Sequence, residues 1–130
     1  MRPAFSKITI KRANDAFPNG QLTVAGPIDL DGKELDAYFW VRVSKNGSAE
    51  AVGSTEMSKR QLGNALKRAV ELGAAAGAAP DPMWSATIPV EEPGFARGDV
   101  VKIEAWARVT TDQPKRTFNI YWEEDDFEIK

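Results

Sequence analysis

The sequence WSATIPVEEPGFARGDVVKIEAWARV, residues 84–109, carries the clearest evidence for the fold class. It contains two runs in which apolar and polar side chains alternate, separated by a segment that carries Pro93-Gly94 and Gly98. The apolar members of the two runs are Trp84, Ala86, Ile88, Val90, Val101, Ile103, Ala105, Ala107 and Val109. A period of two is typical of a strand that buries one face, and the Gly/Pro segment indicates a turn. The stretch therefore predicts two antiparallel strands of a β-sandwich or barrel.

Similar alternation elsewhere extends the prediction to most of the chain. The seven predicted strands cover residues 6–13, 21–28, 37–45, 49–55, 84–90, 101–109 and 116–123. In the last of them, Phe118, Ile120 and Trp122 are expected to face inward. Phe127 and Ile129 are interpreted as an extension of that alternation toward residue 130. The predicted fold class is mostly β, an antiparallel sandwich formed by a single domain that spans residues 1–130.

One segment has a helical pattern instead. The sequence SKRQ, residues 58–61, fits a capping box, in which Ser58 caps the helix and Gln61 reaches back to it. Apolar residues then follow at helical spacing, namely Leu62, Leu66, Ala69 and Val70. We predict one inserted helix over residues 58–73, followed by an Ala/Gly/Pro loop over residues 74–82.

The predicted E–F corner carries a resemblance to a known fold family. Residues 84–90, followed by Gly94-Phe95 and Gly98-Asp99 before a long strand, resemble the corner of bacterial immunoglobulin-like and fibronectin-like sandwiches. The resemblance covers most of the chain and implies an immunoglobulin-like β-sandwich. The chain departs from that family in lacking the inter-sheet cysteine pair and the corner tyrosine, and in carrying the inserted helix. Many functions share this architecture, so the resemblance implies no particular activity.

Composition excludes several kinds of chemistry. The 130 residues include no cysteine and no histidine, so thiol nucleophiles, histidine bases and the usual zinc sites cannot be built. We therefore expect a protein that is not an enzyme and that needs no cofactor. The net charge of −2 gives no reason to expect nucleic acid or a membrane surface as a partner. Without an apolar leader or a long apolar segment, we expect a cytoplasmic protein or part of a released particle.

The aromatic residues suggest where a partner binds. If the flanking apolar residues face the core, four large rings share the outer face of one sheet: Tyr38, Trp40, Trp106 and Tyr121. The sequence leaves three possibilities for what packs on these rings: the chain's own helix, another protein subunit, or a carbohydrate stacked on them. Polar side chains that could assist a sugar are Arg42, Glu104, Arg108 and Asn119.

An acidic segment around Gly32 is a candidate calcium loop. Asp29, Asp31 and Asp36 could supply some of the six to eight oxygen ligands that calcium requires, but the spacing matches a calcium loop poorly. The alternative is a solvated loop between two strands.

The predicted function is a non-catalytic module for protein–protein interaction or structural assembly, such as a subunit of a virion, a tail or another multi-copy particle. Its partner is another protein or a second copy, and the predicted contact residues are Tyr38, Trp40, Trp106, Tyr121 and Arg108. The alternative function is a carbohydrate-binding module that uses the same aromatic residues.

Overall fold

The computed structural model describes residues 4–11, 20–28, 30, 32–46, 49–76, 82–90, 94–112 and 115–130. These residues form seven strands and one helix in the order β1 (Lys7–Lys11), β2 (Gln21–Pro27), β3 (Glu34–Lys45), β4 (Ala49–Ser58), α1 (Lys59–Ala76), β5 (Met83–Pro89), β6 (Val100–Thr111) and β7 (Arg116–Glu128). The predicted fold class, a mostly β protein of about seven antiparallel strands with one inserted helix, is confirmed.

The strands form two sheets. One has three strands in the order β1-β2-β5, and the other has four in the order β4-β3-β6-β7. All strand pairs within the sheets are antiparallel. A parallel bridge between Ile8 and Ile129 joins β1 to the end of β7 and so links the two sheets along one side.

The core lies between the sheets and is built from inward-facing aromatic and β-branched side chains. Trp84 is stacked on Phe39 with ring centroids 4.9 Å apart, and Trp122 meets both rings edge-on. The Trp84 indole also donates a hydrogen bond of 3.1 Å to the carbonyl of Ala4, which satisfies the polar atom of a buried ring. Phe118, predicted to face inward, is exposed near the start of the edge strand β7.

Two glycines allow the chain to pack more closely than a side chain would permit. A Cβ atom on Gly26 of β2 would lie 1.7 Å from the carbonyl oxygen of Ala4, so the segment before β1 can approach only a glycine. On the other side of the sandwich, a Cβ atom on Gly53 of β4 would lie 2.8 Å from Ile88 of β5. Both positions are therefore fixed by close contact rather than by an unusual φ.

The predicted capping box is present and begins the helix. Ser58 Oγ accepts a hydrogen bond of 3.3 Å from the Gln61 backbone N–H, and Gln61 Oε1 accepts one of 2.8 Å from the Ser58 N–H. The helix continues to Ala76 rather than ending at residue 73, because the alanines that follow are good helix formers. The predicted loop over 74–82 is thus helical at its start, and residues 77–81 lie outside the described part of the chain.

The helix packs across one end of the sandwich. Leu62 and Ala69 are buried and Leu66 packs against the core, but Val70 is 63% exposed. The prediction that Val70 belongs to the buried stripe is wrong, since it lies about 100° around the helix from Ala69. Leu30 and Gly32, from the connection before β3, lie beside Leu62 and Leu66.

A bulge in β7 changes which of its side chains face the core. Val101 pairs with Phe127 but Ile103 pairs with Glu124, so β7 holds one extra residue here, and Asp126 has a φ of 56°. Phe127 and Ile129 do pack inward. The predicted extension of the strand is confirmed, since β7 continues to Glu128. In a regular strand, Phe127 and Ile129 would face the side opposite to Trp122, and it is the extra residue that turns them inward.

Candidate functional site

The outer face of the four-stranded sheet brings together all four predicted aromatic residues. Trp40 of β3 lies directly opposite Trp106 of β6, which in turn lies opposite Tyr121 of β7. Tyr38 is the next outward residue of β3 and lies opposite Arg108. We call the four rings of Tyr38, Trp40, Trp106 and Tyr121 the aromatic band.

The aromatic band is open to solvent. Trp40 is 37% exposed, Trp106 39% and Tyr121 48%. The helix does not cover these rings, which corrects the first of the three predicted covers: its apolar residues pack at the end of the sandwich instead. Trp and Tyr rings with this much exposure on a single face are enriched at protein interfaces.

Each tryptophan of the band is held by an aromatic neighbour and an arginine. The ring centroids of Tyr38 and Trp40 lie 4.6 Å apart, and those of Trp106 and Tyr121 lie 5.1 Å apart. The guanidinium carbon of Arg108 is 5.8 Å from the Trp40 ring centroid, and that of Arg42 is 5.9 Å from the Trp106 centroid. Both distances are within the range of cation–π attraction, so the two arginines help to hold the tryptophan rings in their orientations.

Glu104 is a carboxylate largely buried beneath this face. Its Oε1 accepts a hydrogen bond of 2.8 Å from Arg42 Nη2, and its Oε2 lies 3.2 Å from the Tyr121 hydroxyl. Only 9% of the residue is exposed. The hydrogen bond from Arg42 lowers the pKa of Glu104 and outweighs burial, which acts in the opposite direction. The same bond raises the pKa of Arg42.

Tyr121 connects this pair to the edge strand. Its hydroxyl donates a hydrogen bond of 2.6 Å to Glu123, and because the hydroxyl has one proton, the 3.2 Å contact to Glu104 shares that proton. The two carboxylates raise the pKa of Tyr121, chiefly through the bond to Glu123. The bond from Tyr121 in turn lowers the pKa of Glu123, which also forms a 3.4 Å salt bridge with Lys102.

The charges are distributed unevenly on either side of the tryptophans. Toward one end of the strands, Arg42 lies within 4.0 Å of Glu50 and pairs with Glu104. Toward the other end, Arg108 contacts the Trp40 ring, and no carboxylate among the described residues lies within salt-bridge distance of it. Within the described part of the chain, the guanidinium beside the rings therefore has no carboxylate that neutralises it.

The candidate calcium loop lies partly outside the described residues. Asp29 and Asp31 are not described, and Asp36 lies within β3, opposite Ser58 and Thr110, rather than in the predicted loop. Among the described residues, no group of three or more acidic side chains is placed to hold a metal ion.

The described residues also form a small, mainly apolar cavity and a larger, more polar depression. A cavity of about 100 Å³ beneath the helix is lined mainly by Leu30, Leu62 and Leu66. A second, more open depression lies beside Lys102 and the bulge at Asp126. The depression is lined by Ser44, Asn46, Lys102, Asp125 and Asp126, besides Val100 and Val101.

Sequence reasoning identified the band and its polar neighbours but not the bonds between them. Outward positions follow from the alternation alone, and they include Arg42, Glu104 and Arg108. Glu123 was not predicted as part of the site. Its position two residues after Tyr121 in the same strand, and so on the same face, was the available signal.

Comparison with known proteins adds no relative from which a function could be transferred. No protein-family model, no curated protein and no solved structure matches the chain. Among the described residues, no helix is both long enough and apolar enough to cross a bilayer. Function must therefore be argued from the site itself.

Proposed function

We propose that the protein is a non-catalytic interaction or assembly module, and that it binds a protein partner through the outer face of its four-stranded sheet. The observation that carries the proposal is the composition of this face: Trp40, Trp106, Tyr38 and Tyr121 lie side by side with Arg42 and Arg108. Trp, Tyr and Arg are the residue types that contribute most of the binding energy at protein interfaces.

The rigidity of the face supports the proposal. The rings lie on strands β3, β6 and β7 rather than on loops. Trp106 contacts Tyr121 on the neighbouring strand, Tyr38 contacts Trp40 along β3, and both contacts restrict the orientation of the rings. The Glu104 carboxylate anchors Arg42 and Tyr121 from below. A partner therefore meets side chains that have already lost most of their rotational freedom, which lowers the entropy lost on binding.

The immunoglobulin-like resemblance of the sequence remains part of the proposal. Two antiparallel sheets of three and four strands are compatible with it. A subunit of a virion, tail or other multi-copy particle is a setting in which such a module would act, since one exposed face per copy is enough to attach it to a neighbour.

Carbohydrate binding is the alternative, because aromatic rings with flanking polar side chains also suit a sugar. Two features of the rings favour a protein. Trp106 and Tyr121 are inclined by 49° and Tyr38 and Trp40 by 35°, so the band is not a flat platform. An arginine guanidinium also lies over each indole ring, and a sugar that stacked on the same side of the ring would have to displace it.

The absence of cysteine allows a direct test with single thiols. Ser54 lies on the same outer face, opposite Trp40, and Ser85 lies exposed on the three-stranded sheet. We would compare the rates of maleimide labelling of Ser54→Cys and Ser85→Cys. Each rate would be measured in three conditions: with the purified variant at low concentration, with the purified variant at high concentration, and with the variant at low concentration in an extract of the source cells. The thiols of the extract would be blocked beforehand.

Slower labelling of the cysteine at 54, in extract or at high concentration, is the expected result, with the cysteine at 85 unaffected. Protection in extract should disappear after the extract proteins are digested and the protease inhibited. Equal rates in all three conditions would overturn the proposal. Protection that survives digestion and is removed by free sugars would assign the face to a carbohydrate instead.

A further inference from the structure

We infer that the partner of this face is a second copy of the chain. The two copies pack face to face, related by a two-fold axis that runs across the strands, along the line that joins Trp40 to Trp106. The inference rests on the proposed function and identifies its partner. It follows from the strand register, which arranges the outward side chains in rows across the sheet. The central row is Ser54, Trp40, Trp106 and Tyr121.

The two rows beside the central one differ in a way that makes them complementary. One row consists of Glu56, Tyr38, Arg108 and Asn119, and the other of Val52, Arg42, Glu104 and Glu123. A two-fold axis along the central row places each strand over the same strand of the second copy, running in the opposite direction. It therefore places the first row of one copy over the second row of the other.

This superposition pairs opposite or compatible groups at three of the four positions of the two rows, and the fourth lies on the edge strand β4. Arg108 comes to lie over Glu104 of the second copy, and Tyr38 lies over its Arg42. Asn119 comes over Glu123, and Glu56 comes over the 60% exposed Val52. No like charges oppose each other in these rows. Because the axis is two-fold, each pair forms twice, as in isologous interfaces.

The Arg108–Glu104 pair would supply groups that each copy lacks within its described residues. Arg108 has five N–H donors and no salt-bridged carboxylate in its own chain there. A carboxylate can accept about four hydrogen bonds, and Glu104 receives contacts from Arg42 and Tyr121. Glu104 thus keeps acceptor positions that the described residues do not use, and an arginine of the second copy would reach them at the 9% of the residue that is exposed.

The size of the face sets the expected affinity. Four strands about 4.8 Å apart, with outward residues about 6.8 Å apart along each, give a face of roughly 20 by 25 Å. That area, roughly 500 Å², is smaller than the ~800 Å² that each partner of a standard interface buries and falls in the range of weak, transient contacts. We therefore expect a dimer that dissociates in the micromolar range rather than the nanomolar range.

Cross-linking of purified protein tests the position of the axis. Residues of the central row face their own counterparts, and packed sheets are about 10 Å apart, so a bis-maleimide of about that span should join two Ser54→Cys chains. The matched control, Ser85→Cys, has the same substitution on the opposite sheet and should remain monomeric under the same conditions.

Sedimentation equilibrium of the purified protein tests the charge pairing. Arg108→Glu would place a carboxylate over Glu104 of the second copy, so the dissociation constant should rise at least tenfold. Arg97→Glu makes the same change in the exposed turn before β6 and should leave the constant unchanged. Circular dichroism of both variants would show that each is folded.

The outcomes separate this inference from the proposed function. A Ser54→Cys cross-link and a weakened Arg108→Glu dimer would support both. A monomer at several hundred micromolar without a cross-link would overturn the second copy as partner. If the cysteine at 54 were still protected in extract, the protein-binding function would stand with a different partner, and if it were not, both would fall.

Discussion

At the scale of single residues, Glu104 organises the candidate site. Its carboxylate receives the Arg42 guanidinium and the Tyr121 hydroxyl, and those two side chains flank the Trp106 ring. A carboxylate that is 9% exposed keeps its charge here because a cation is hydrogen-bonded to it. Loss of that charge would remove the Arg42 ion pair and one of the two carboxylate contacts of the Tyr121 hydroxyl.

The pKa of Glu104 predicts how stability depends on pH. Because its pKa is lowered in the folded protein, the stabilisation is complete above the ordinary carboxyl pKa of about 4.3 and is lost as the pH falls through the lower folded value. We expect Glu104→Gln to be less stable than the wild type at pH 7, with the difference shrinking below about pH 4.3.

Urea unfolding from pH 7 to pH 3, followed by tryptophan fluorescence, measures this difference. An Arg42→Gln background serves as the control, since removing the cation removes the cause of the shift. The pH dependence of the Glu104→Gln difference should then be smaller. A difference that is constant across the pH range in the wild-type background would show that the charge of Glu104 does not stabilise the fold.

At the scale of secondary-structure elements, the capping box gives a prediction of stability. Ser58 and Gln61 exchange reciprocal hydrogen bonds at the start of α1. We expect Ser58→Ala to lower the free energy of unfolding by about 1 kcal/mol, because a backbone N–H loses its partner. Chemical denaturation measures the change, and Ser85→Ala, at an exposed strand position, should alter it much less. Equal effects of the two substitutions would argue against the cap.

Most elements could be predicted from the sequence, and those that differ have local causes. Alternation located all seven strands because most of them turn one face toward the core, although β7 is only partly buried on that face and β2 is buried on both. The sequence could not predict which side chains of β7 face the core after residue 124. Their orientation depends on the positive φ of Asp126 and on the pairing with β6. β3 begins at Glu34 within a predicted polar loop, where the Glu34 carboxylate accepts a hydrogen bond from the Gly32 N–H.

The candidate site was predictable to the level of which side chains face outward. The alternation of apolar and polar residues along each strand predicted that Trp40 and Trp106 face outward. The strand register places them directly opposite each other. The register itself depends on long-range pairing, and so does the contact between Arg42 and Glu104, which are 62 residues apart in the chain. No local pattern encodes a contact of that kind.

At the scale of the whole molecule, the end of the chain holds the two sheets together. Ile129 is fully buried and bridges to Ile8, and the Lys130 N–H donates a hydrogen bond of 2.9 Å to the Ile8 carbonyl. The sandwich is therefore joined on the side where β1 meets β7. Contacts of this separation in sequence slow folding, because closing the long intervening chain costs entropy before they form.

Truncation of Ile129 should destabilise the whole protein. We expect Ile129→Ala to lower the free energy of unfolding by about 2–5 kcal/mol, as for other large-to-small changes in a core. Val100→Ala, at a 49% exposed position at the start of β6, is the matched control and should have a much smaller effect. Thermal unfolding of the two variants would make the comparison, and similar losses would show that the end of β7 is not part of the core.

The parallel bridge between β1 and β7 also bears on how the protein would respond to mechanical force. The Ile10 N–H donates to Lys130 and the Lys130 N–H donates to Ile8, so the first and last strands are joined directly. If the chain were stretched between its two ends, these parallel strands would slide past each other, and both hydrogen bonds would carry the load together rather than open one after the other. Single-molecule stretching would reveal this as a high rupture force, and a low one would show that the bridge is not the element that resists extension.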